Sequence, residues 1–243
     1  MSCPKENRQA AGTYDTIHSE LVRERSPEMP MILDMDGVIV DSNPVHRQAW
    51  RIYNRRFGIE TDEAMQQRMY GKRNDQIVRD FFGPQLTAEQ VMAHGSAKER
   101  LYREMMAERI EESLVPGVRQ FLKRHAGTPM GMASNADAAN VDFVLDTTGL
   151  RRYFQVVMNG HEVEKPKPDP EIYLRTAERL GVAAADCIVF EDSLAGIEAA
   201  RRAGMRTVGV RTTHAELPDT DLAIDNFLSE ELEPWLRRQN MRR

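Results

Sequence analysis

Short apolar runs recur along this 243-residue chain, and each run leads into a segment with the periodicity of a helix. The runs are continuously apolar rather than alternating, which is typical of strands that are buried on both faces. Strands that alternate with helices predict a parallel sheet with helices on both sides. The predicted strands are Met31–Leu33, Met130–Ala133, Gln155–Met158, Cys187–Phe190, Thr207–Val210 and Leu222–Ile224.

The segments between these strands predict helices, and several of them end at a glycine, as the C-terminal caps of helices commonly do. These helices are Val118–Arg124, Ala138–Thr147, Glu171–Leu180 and Leu194–Ala203. The fold class predicted from this order is α/β, with a Rossmann-like, doubly wound parallel sheet as its core.

One interval, from Asn43 to about Ser113, breaks the alternation because it carries helix signals and no convincing strand. Asn43 and Pro44 are typical of the N-cap and first turn of a helix. Residues 97–112 are expected to form a charged outer helix face with no chemical role. We therefore predict a flexible N-terminal extension over residues 1–29, an α/β core domain over 30–42 and 114–243, and a helical cap domain over 43–113.

Composition and charge narrow the expected partners. The formal net charge of −5 argues against nucleic acid as the main partner. The two cysteines, Cys3 and Cys187, form neither a disulfide framework nor a metal-binding pattern. No apolar segment is long enough to span a bilayer, and the first residues lack the apolar stretch of a secretory signal. We expect a cytoplasmic protein with no membrane or nucleic-acid partner.

Reactive side chains follow several of the predicted strands, and the segment EKPKPDP adds two lysines between prolines. Because ligands of parallel α/β sheets bind at the carboxyl ends of the strands, we expect these side chains to share one site. The groups are Asp34, Asp36, Ser134, Asn135, Lys165, Lys167, Glu191 and Asp192.

This set of groups predicts phosphate chemistry. Magnesium prefers oxygen ligands and is usually held by a few carboxylates together with substrate phosphate, so Asp34 and Asp192, with Glu191 beside them, are its expected ligands. A carboxylate next to the metal can attack phosphorus, and a second carboxylate two residues on can handle the proton. The expected cofactor is Mg²⁺, and the expected partner is a small phosphorylated metabolite.

Four segments, "DMDGVIVDS", "ASN", "KPKPDP" and "FEDSLAGIEAARRAG", resemble in this order the four motifs of the haloacid dehalogenase superfamily. The helical interval after the first motif resembles the small cap of the branch that contains β-phosphoglucomutase and many sugar phosphatases. The resemblance implies that Asp34 is the nucleophile and Asp36 the general acid/base. It also implies a monomer, which is the default for this type of cap.

The resemblance assigns the remaining site residues as well. It implies that Ser134 and Asn135 bind the phosphoryl group. Lys165, through the pattern Lys-Pro-x-Pro-Asp, is expected to pair with the phosphoryl group and with Asp34, whereas Lys167 is expected to be solvated. The implied metal ligands are Asp34, Asp36 through its backbone carbonyl, Glu191 and Asp192.

The helical cap supplies further candidates for substrate binding. His46 either faces the active site or lies in the hinge or the cap core. The segment around Gly71, with Lys72 and Arg73, occupies the place of the family's specificity loop, where the basic pair either contacts a substrate anion or is solvated.

The resulting functional prediction is a phosphatase that hydrolyses a small sugar or polyol phosphate through an aspartyl-phosphate. The alternative is a mutase of the β-phosphoglucomutase type, which needs a second cationic phosphate site in the cap. In that mutase the specificity loop has a lysine before the glycine and an arginine three residues after it; here Tyr70 and Asn74 occupy those positions. More remote alternatives are a phosphoacceptor signalling domain and a catalytically silent binding domain.

Overall fold

Within the residues that the structure describes, six parallel strands form one sheet in the order β3-β2-β1-β4-β5-β6. The computed structural model describes residues 29–70 and 72–241. Because the chain winds outward from β1 in both directions, the predicted doubly wound α/β fold is confirmed. The strands are β1 Met31–Leu33, β2 Met130–Ala133, β3 Val156–Met158, β4 Ile188–Glu191, β5 Arg206–Val210 and β6 Leu222–Ile224.

Helices cover both faces of this sheet, as the continuously apolar strands require. Successive residues of β1 point to opposite faces. Leu33 packs in one apolar cluster with Phe121, and Ile32 packs in another with Tyr173. The helices that cover the sheet are α5 Val118–Arg124, α6 Ala138–Thr147, α7 Glu171–Leu180, α8 Leu194–Arg202 and α9 Leu232–Asn240.

Four helices of the described chain lie between Asn43 and Met106, after β1, and we refer to residues 43–113 as the helical insertion. It has a small apolar core of its own, in which Trp50 packs edge-on against Phe81. Its two ends lie side by side, because Val40 pairs with Leu114 and the Asp41 amide donates to the Ser113 carbonyl at 2.7 Å. The helices of the insertion are α1 Asn43–Arg55, α2 Glu63–Gln67, α3 Asn74–Phe82 and α4 Ala88–Met106.

The start of α1 differs from the sequence prediction. The helix begins at Asn43, but the N-cap position belongs to Ser42, and no side chain caps it. The side-chain amide of Asn43 instead donates to the Thr213 hydroxyl at 2.6 Å and to Asp192 Oδ2 at 3.3 Å. The side chain that was expected to cap the helix therefore binds residues that follow β4 and β5.

In the part of the chain that the structure describes, no helix is both long enough and apolar enough to cross a membrane. The predicted N-terminal extension, residues 1–29, lies outside the described residues except for Met29. Met29 is buried, and its amide donates to Asn240 at 2.9 Å.

The central strand supports a direct test of the core. Leu33 is fully buried in β1, so Leu33→Ala should lower the free energy of unfolding by about 2–5 kcal/mol through lost burial and a residual cavity. Urea unfolding followed by circular dichroism measures this change. Leu228→Ala is the matched control, because Leu228 is 64% exposed and its truncation should stay within about 0.5 kcal/mol.

Candidate active site

Asp34 and Asp36 follow directly after the end of β1. Asp34 is buried, and its amide continues the sheet by donating to the Phe190 carbonyl at 3.0 Å. Gly37 turns the chain with a φ of +80°, and a Cβ there would lie 1.9 Å from Asp192 Oδ2. The turn therefore requires glycine, and it brings the ends of β1 and β4 into contact.

Lys167 is the cation at the centre of this site. Its ammonium donates to Asp34 Oδ1 at 2.6 Å, to Glu191 Oε1 at 2.6 Å and to the Ala133 carbonyl at 3.0 Å. An ammonium has three N–H donors, and each donor of Lys167 has an acceptor. The buried side chain, which is 4% exposed, therefore leaves no donor unsatisfied. Burial alone would lower the pKa of Lys167, but the charges of Asp34 and Glu191 outweigh it and raise the pKa.

This placement corrects the assignment made from the sequence. Lys165 is exposed, and its amide donates to Glu171 at the start of α7, so its side chain does not serve Asp34. Lys167, which was expected to be solvated, takes that position. The sequence offers two Lys-Pro pairs two residues apart, and only the path of the loop decides which lysine turns inward.

Glu191 accepts hydrogen bonds from several residues of the site. Its Oε1 accepts from Lys167 and from the Tyr173 hydroxyl, the latter at 2.7 Å. Its Oε2 accepts from the amides of Asp192 and Ser193 and from the Ser193 hydroxyl, each at 3.0 Å. Burial would raise the pKa of Glu191, but the Lys167 charge and these donors lower it. With five donors around it, this carboxylate is better placed to hold its neighbours than to bind a metal directly.

Asp34, Glu191 and Asp192 form a buried cluster whose carboxylate oxygens lie within 4.8 Å of one another. Burial raises the pKa of Asp34 to about 8 against the pull of Lys167, and burial together with Glu191 and Asp34 raises that of Asp192. Asp192 accepts hydrogen bonds from neutral groups, Asn43 and the Thr213 hydroxyl. One lysine leaves this cluster with excess negative charge, which fits a hard divalent cation.

The end of β2 contributes the predicted phosphate-binding pair. A cavity lies between Asp34 and the helical insertion. Ser134 is buried and lines this cavity, and its hydroxyl accepts a hydrogen bond from the Ala136 backbone amide at 3.1 Å. Asn135 lines the same cavity, and its side-chain oxygen accepts from the Lys167 amide at 3.3 Å. Both residues thus lie beside Lys167, at the same edge of the sheet as Asp34.

Asp36 faces the helical insertion. Its Oδ1 accepts from the Ser42 hydroxyl at 2.5 Å and lies 3.5 Å from His46 Nε2. His46 Nδ1 lies 3.2 Å from the Lys98 ammonium, which can only donate, so Nδ1 is the acceptor and Nε2 carries the proton that points to Asp36. His46 also stacks on Tyr102 with ring centroids 3.8 Å apart. Of the two readings left open by the sequence, His46 therefore faces the site.

Lys98 belongs to a buried ion pair that the sequence did not reveal. It donates to Glu99, which also accepts from the amides of Asn74 and Asn140 at 2.6 Å each. Burial opposes ionisation of Glu99, but the Lys98 charge and these hydrogen bonds lower its pKa to about 2. Glu99 thus joins α4 to α3 and to α6 of the core.

The remaining candidates for substrate binding in the insertion are Lys72, Arg73 and Gly71. Lys72 lines the cavity, but its ammonium pairs with Asp80 at 2.7 Å. Arg73 pairs with Asp75 at 3.4 Å and does not line the cavity. Gly71, also predicted to contact substrate, lies outside the described residues.

In the run 97–112, the inward packing expected of Leu101, Met105 and Ile110 is present, with Ile110 buried and the other two half-buried against the core. The prediction of an outer face for the rest of the run is wrong, because Lys98, Tyr102 and Met106 are buried. Their spacing of four residues marks one face of α4, and this signal was present in the sequence. Charged residues on such a face are ordinarily solvated, and only their tertiary partners make the burial of Lys98 and Glu99 tolerable.

A family model described as haloacid dehalogenase-like hydrolase matches residues 31–204. The chain belongs to this family. The family motifs quoted from the sequence all fall within the matched segment, and three of their acidic residues, Asp34, Glu191 and Asp192, form the cluster described above. The predicted family is therefore confirmed.

Several members of the haloacid dehalogenase-like hydrolase family are similar to the chain. The fructose-1-phosphate phosphatase YqaB of Escherichia coli (strain K12) is 34% identical over 183 residues, which cover 74% of this chain and 95% of the relative. A phosphorylated carbohydrates phosphatase of Thermotoga maritima is 32% identical over 186 residues, covering 73% and 82%. The crystal structure of a β-phosphoglucomutase from Clostridium difficile superposes with a TM-score of 0.79 at 25% identity, covering 89% and 100%. These comparisons confirm the predicted enzyme class, a phosphatase of this family.

Paired substitutions test which lysine serves Asp34. Lys167→Met leaves two buried carboxylates without their cation, so activity should fall about a hundredfold or more and stability by about 3–5 kcal/mol. Lys165→Met should leave both within about twofold and 0.5 kcal/mol, because that side chain is exposed. Steady-state phosphate release and urea unfolding measure the two effects. The opposite ranking would restore the assignment made from the sequence.

A second pair of variants tests the packing beneath Glu191. A Cβ at Gly196 would lie 1.8 Å from Glu191 Oε1, so Gly196→Ala should displace this carboxylate and with it Lys167. Turnover should fall about a hundredfold. Gly127→Ala is the matched control because nothing lies within 4 Å of a Cβ there. Equal turnover in the two variants would show that Glu191 is not held against Gly196.

Proposed function

We propose that this protein is a Mg²⁺-dependent phosphatase that hydrolyses a small sugar or polyol monophosphate through an aspartyl-phosphate on Asp34. The observation that carries the proposal is the buried contact of Lys167 with Asp34 and Glu191, beside Asp192. A carboxylate held by an ammonium next to further carboxylates is a nucleophile placed where a phosphoryl group can be neutralised.

The first half of the reaction transfers the phosphoryl group to the protein. An oxygen of Asp34 attacks phosphorus, the bond from phosphorus to the sugar oxygen breaks, and Asp36 gives its proton to that leaving oxygen. During this step the positive charge of Lys167 stabilises the phosphoryl oxygens, and the Ser134 hydroxyl donates a hydrogen bond to one of them. The products are a free alcohol and the aspartyl-phosphate.

The second half returns Asp34 to its starting state. Asp36, now ionised, takes a proton from a water molecule as the water oxygen attacks phosphorus. The bond from phosphorus to the Asp34 oxygen breaks, and inorganic phosphate leaves. The hydrogen bond from Ser42 and the nearby imidazole of His46 hold Asp36 in place for both proton transfers.

The residues suited to hold the Mg²⁺ are Asp34 and Asp192, with the Asp36 carbonyl completing the protein's share. When bound there, Mg²⁺ supplies positive charge to the oxygens of the transferring phosphoryl group. Glu191 contributes from outside this set by fixing Lys167 and the backbone at Asp192.

The helical insertion, residues 43–113, is proposed to act as the cap that covers the substrate. Its residues line the cavity opposite Asp34, and they include His46, Trp50 and Lys98. The mutase alternative requires a cationic loop in this cap, whereas Tyr70 and Asn74 stand at the two positions concerned. This difference favours transfer of the phosphoryl group to water.

The deciding experiment is a panel of sugar and polyol phosphates with Mg²⁺, in which released phosphate and isomerised sugar phosphate are scored separately. We expect phosphate release without isomerisation, and loss of release when EDTA removes the metal. Asp34→Asn should reduce turnover by at least about a thousandfold because an amide cannot form the acyl phosphate.

Three outcomes would contradict the proposal. Isomerised product with little free phosphate after priming by a bisphosphate would identify a mutase. Stable acyl-phosphate labelling without release from any substrate would indicate a phosphoacceptor signalling domain. Full activity of Asp34→Asn would rule out the assigned nucleophile.

A further inference from the structure

The side of the cavity formed by the helical insertion contains a buried charge that contacts no phosphoryl oxygen in the proposed reaction. Lys98 is 1% exposed, lines the cavity and lies beyond His46 as seen from Asp36. A sugar phosphate whose phosphorus meets Asp34 extends toward this side. Lys98 is thus the natural partner for a second phosphate at the far end of the substrate.

The charge of Lys98 is already neutralised. Glu99 accepts a hydrogen bond from the Lys98 ammonium in an ion pair whose two side chains are at most 4% exposed. Glu99 cannot turn away easily, since the amides of Asn74 and Asn140 hold its two oxygens at 2.6 Å. The low pKa of Glu99 keeps this partner ionised throughout the physiological range.

Other cations of the insertion do not replace it. Among the described residues that line the cavity, Lys72 is the further lysine of the insertion, and it pairs with Asp80 at 2.7 Å. Lys98 and Lys72 are thus each paired with a carboxylate, so the described lining residues of the insertion present no unpaired lysine to the cavity.

We propose that Glu99 is a specificity-determining residue that selects substrates with one phosphate by neutralising Lys98. This inference rests on the proposed function, because it assumes that the phosphate to be cleaved meets Asp34. The substrate class that fits is a sugar or polyol monophosphate whose far end carries hydroxyl groups. A bisphosphate of the same sugar would bring a second phosphate next to the Glu99 carboxylate.

The test compares fructose 1-phosphate with fructose 1,6-bisphosphate by calorimetric titration in the presence of Mg²⁺. All proteins carry Asp34→Asn, so that binding is measured without turnover. With Glu99 intact, the bisphosphate should bind no more tightly than the monophosphate. With Glu99→Gln, the ratio of the two affinities should shift toward the bisphosphate by about tenfold, which corresponds to about 1.4 kcal/mol.

Two further variants separate charge selection from a purely structural role. Removing Lys98 as well, in Lys98→Gln with Glu99→Gln, should abolish the shift because the freed ammonium is gone. Glu111→Gln is the matched control, since Glu111 pairs with Arg119 at the surface and should leave the ratio unchanged. A residue that only stabilises the fold would weaken both ligands by the same factor.

The proposal is overturned if the ratio is the same with and without Glu99, or if the shift persists without Lys98. Tenfold tighter binding of the bisphosphate to the protein with Glu99 intact would also overturn it, and this arm does not depend on the Glu99→Gln variant folding. Binding of neither ligand would contradict the substrate class. Failure of the proposed function is seen separately, as no phosphate release by the wild-type enzyme.

Discussion

The ammonium of Lys167 holds together three parts of the chain that would otherwise repel one another or lie apart. Asp34 follows β1, Glu191 ends β4, and Lys167 lies in the loop before α7. Two carboxylates buried side by side are tolerable only with a cation between them, and the cation is tolerable in the interior only with both of them. The geometry of the nucleophile, the loop and the acidic cluster therefore depends on this one contact.

The same rule of paired burial applies on the side of the insertion, with another result. Lys98 and Glu99 are adjacent in sequence and satisfy each other, and two asparagine amides complete the hydrogen bonding of Glu99. Near Asp34 the charges remain unbalanced, because one lysine faces three carboxylates. Near His46 the charges of Lys98 and Glu99 cancel. The cavity is thus charged beside Asp34 and neutral beside Lys98.

Much of the core could be predicted from the sequence, because apolar runs and glycine stops are local signals. The strands at Met31–Leu33 and Met130–Ala133 and the helix at Glu171–Leu180 have the predicted bounds. The choice between Lys165 and Lys167 could not be made in this way, since both precede proline and only tertiary contacts distinguish them. The burial of Glu99 has the same explanation: its partner Asn140 is 41 residues away in sequence.

The insertion enters and leaves the core through two neighbouring backbone segments, joined by the Val40–Leu114 pairing. To the sheet, such an insertion is equivalent to a long loop whose ends meet, and the cost of closing that loop rises only slowly with its length. Helices can therefore be added, removed or exchanged here during evolution while β1 and β2 keep their register. The catalytic edge of the sheet and the choice of substrate can diversify at separate rates within one polypeptide.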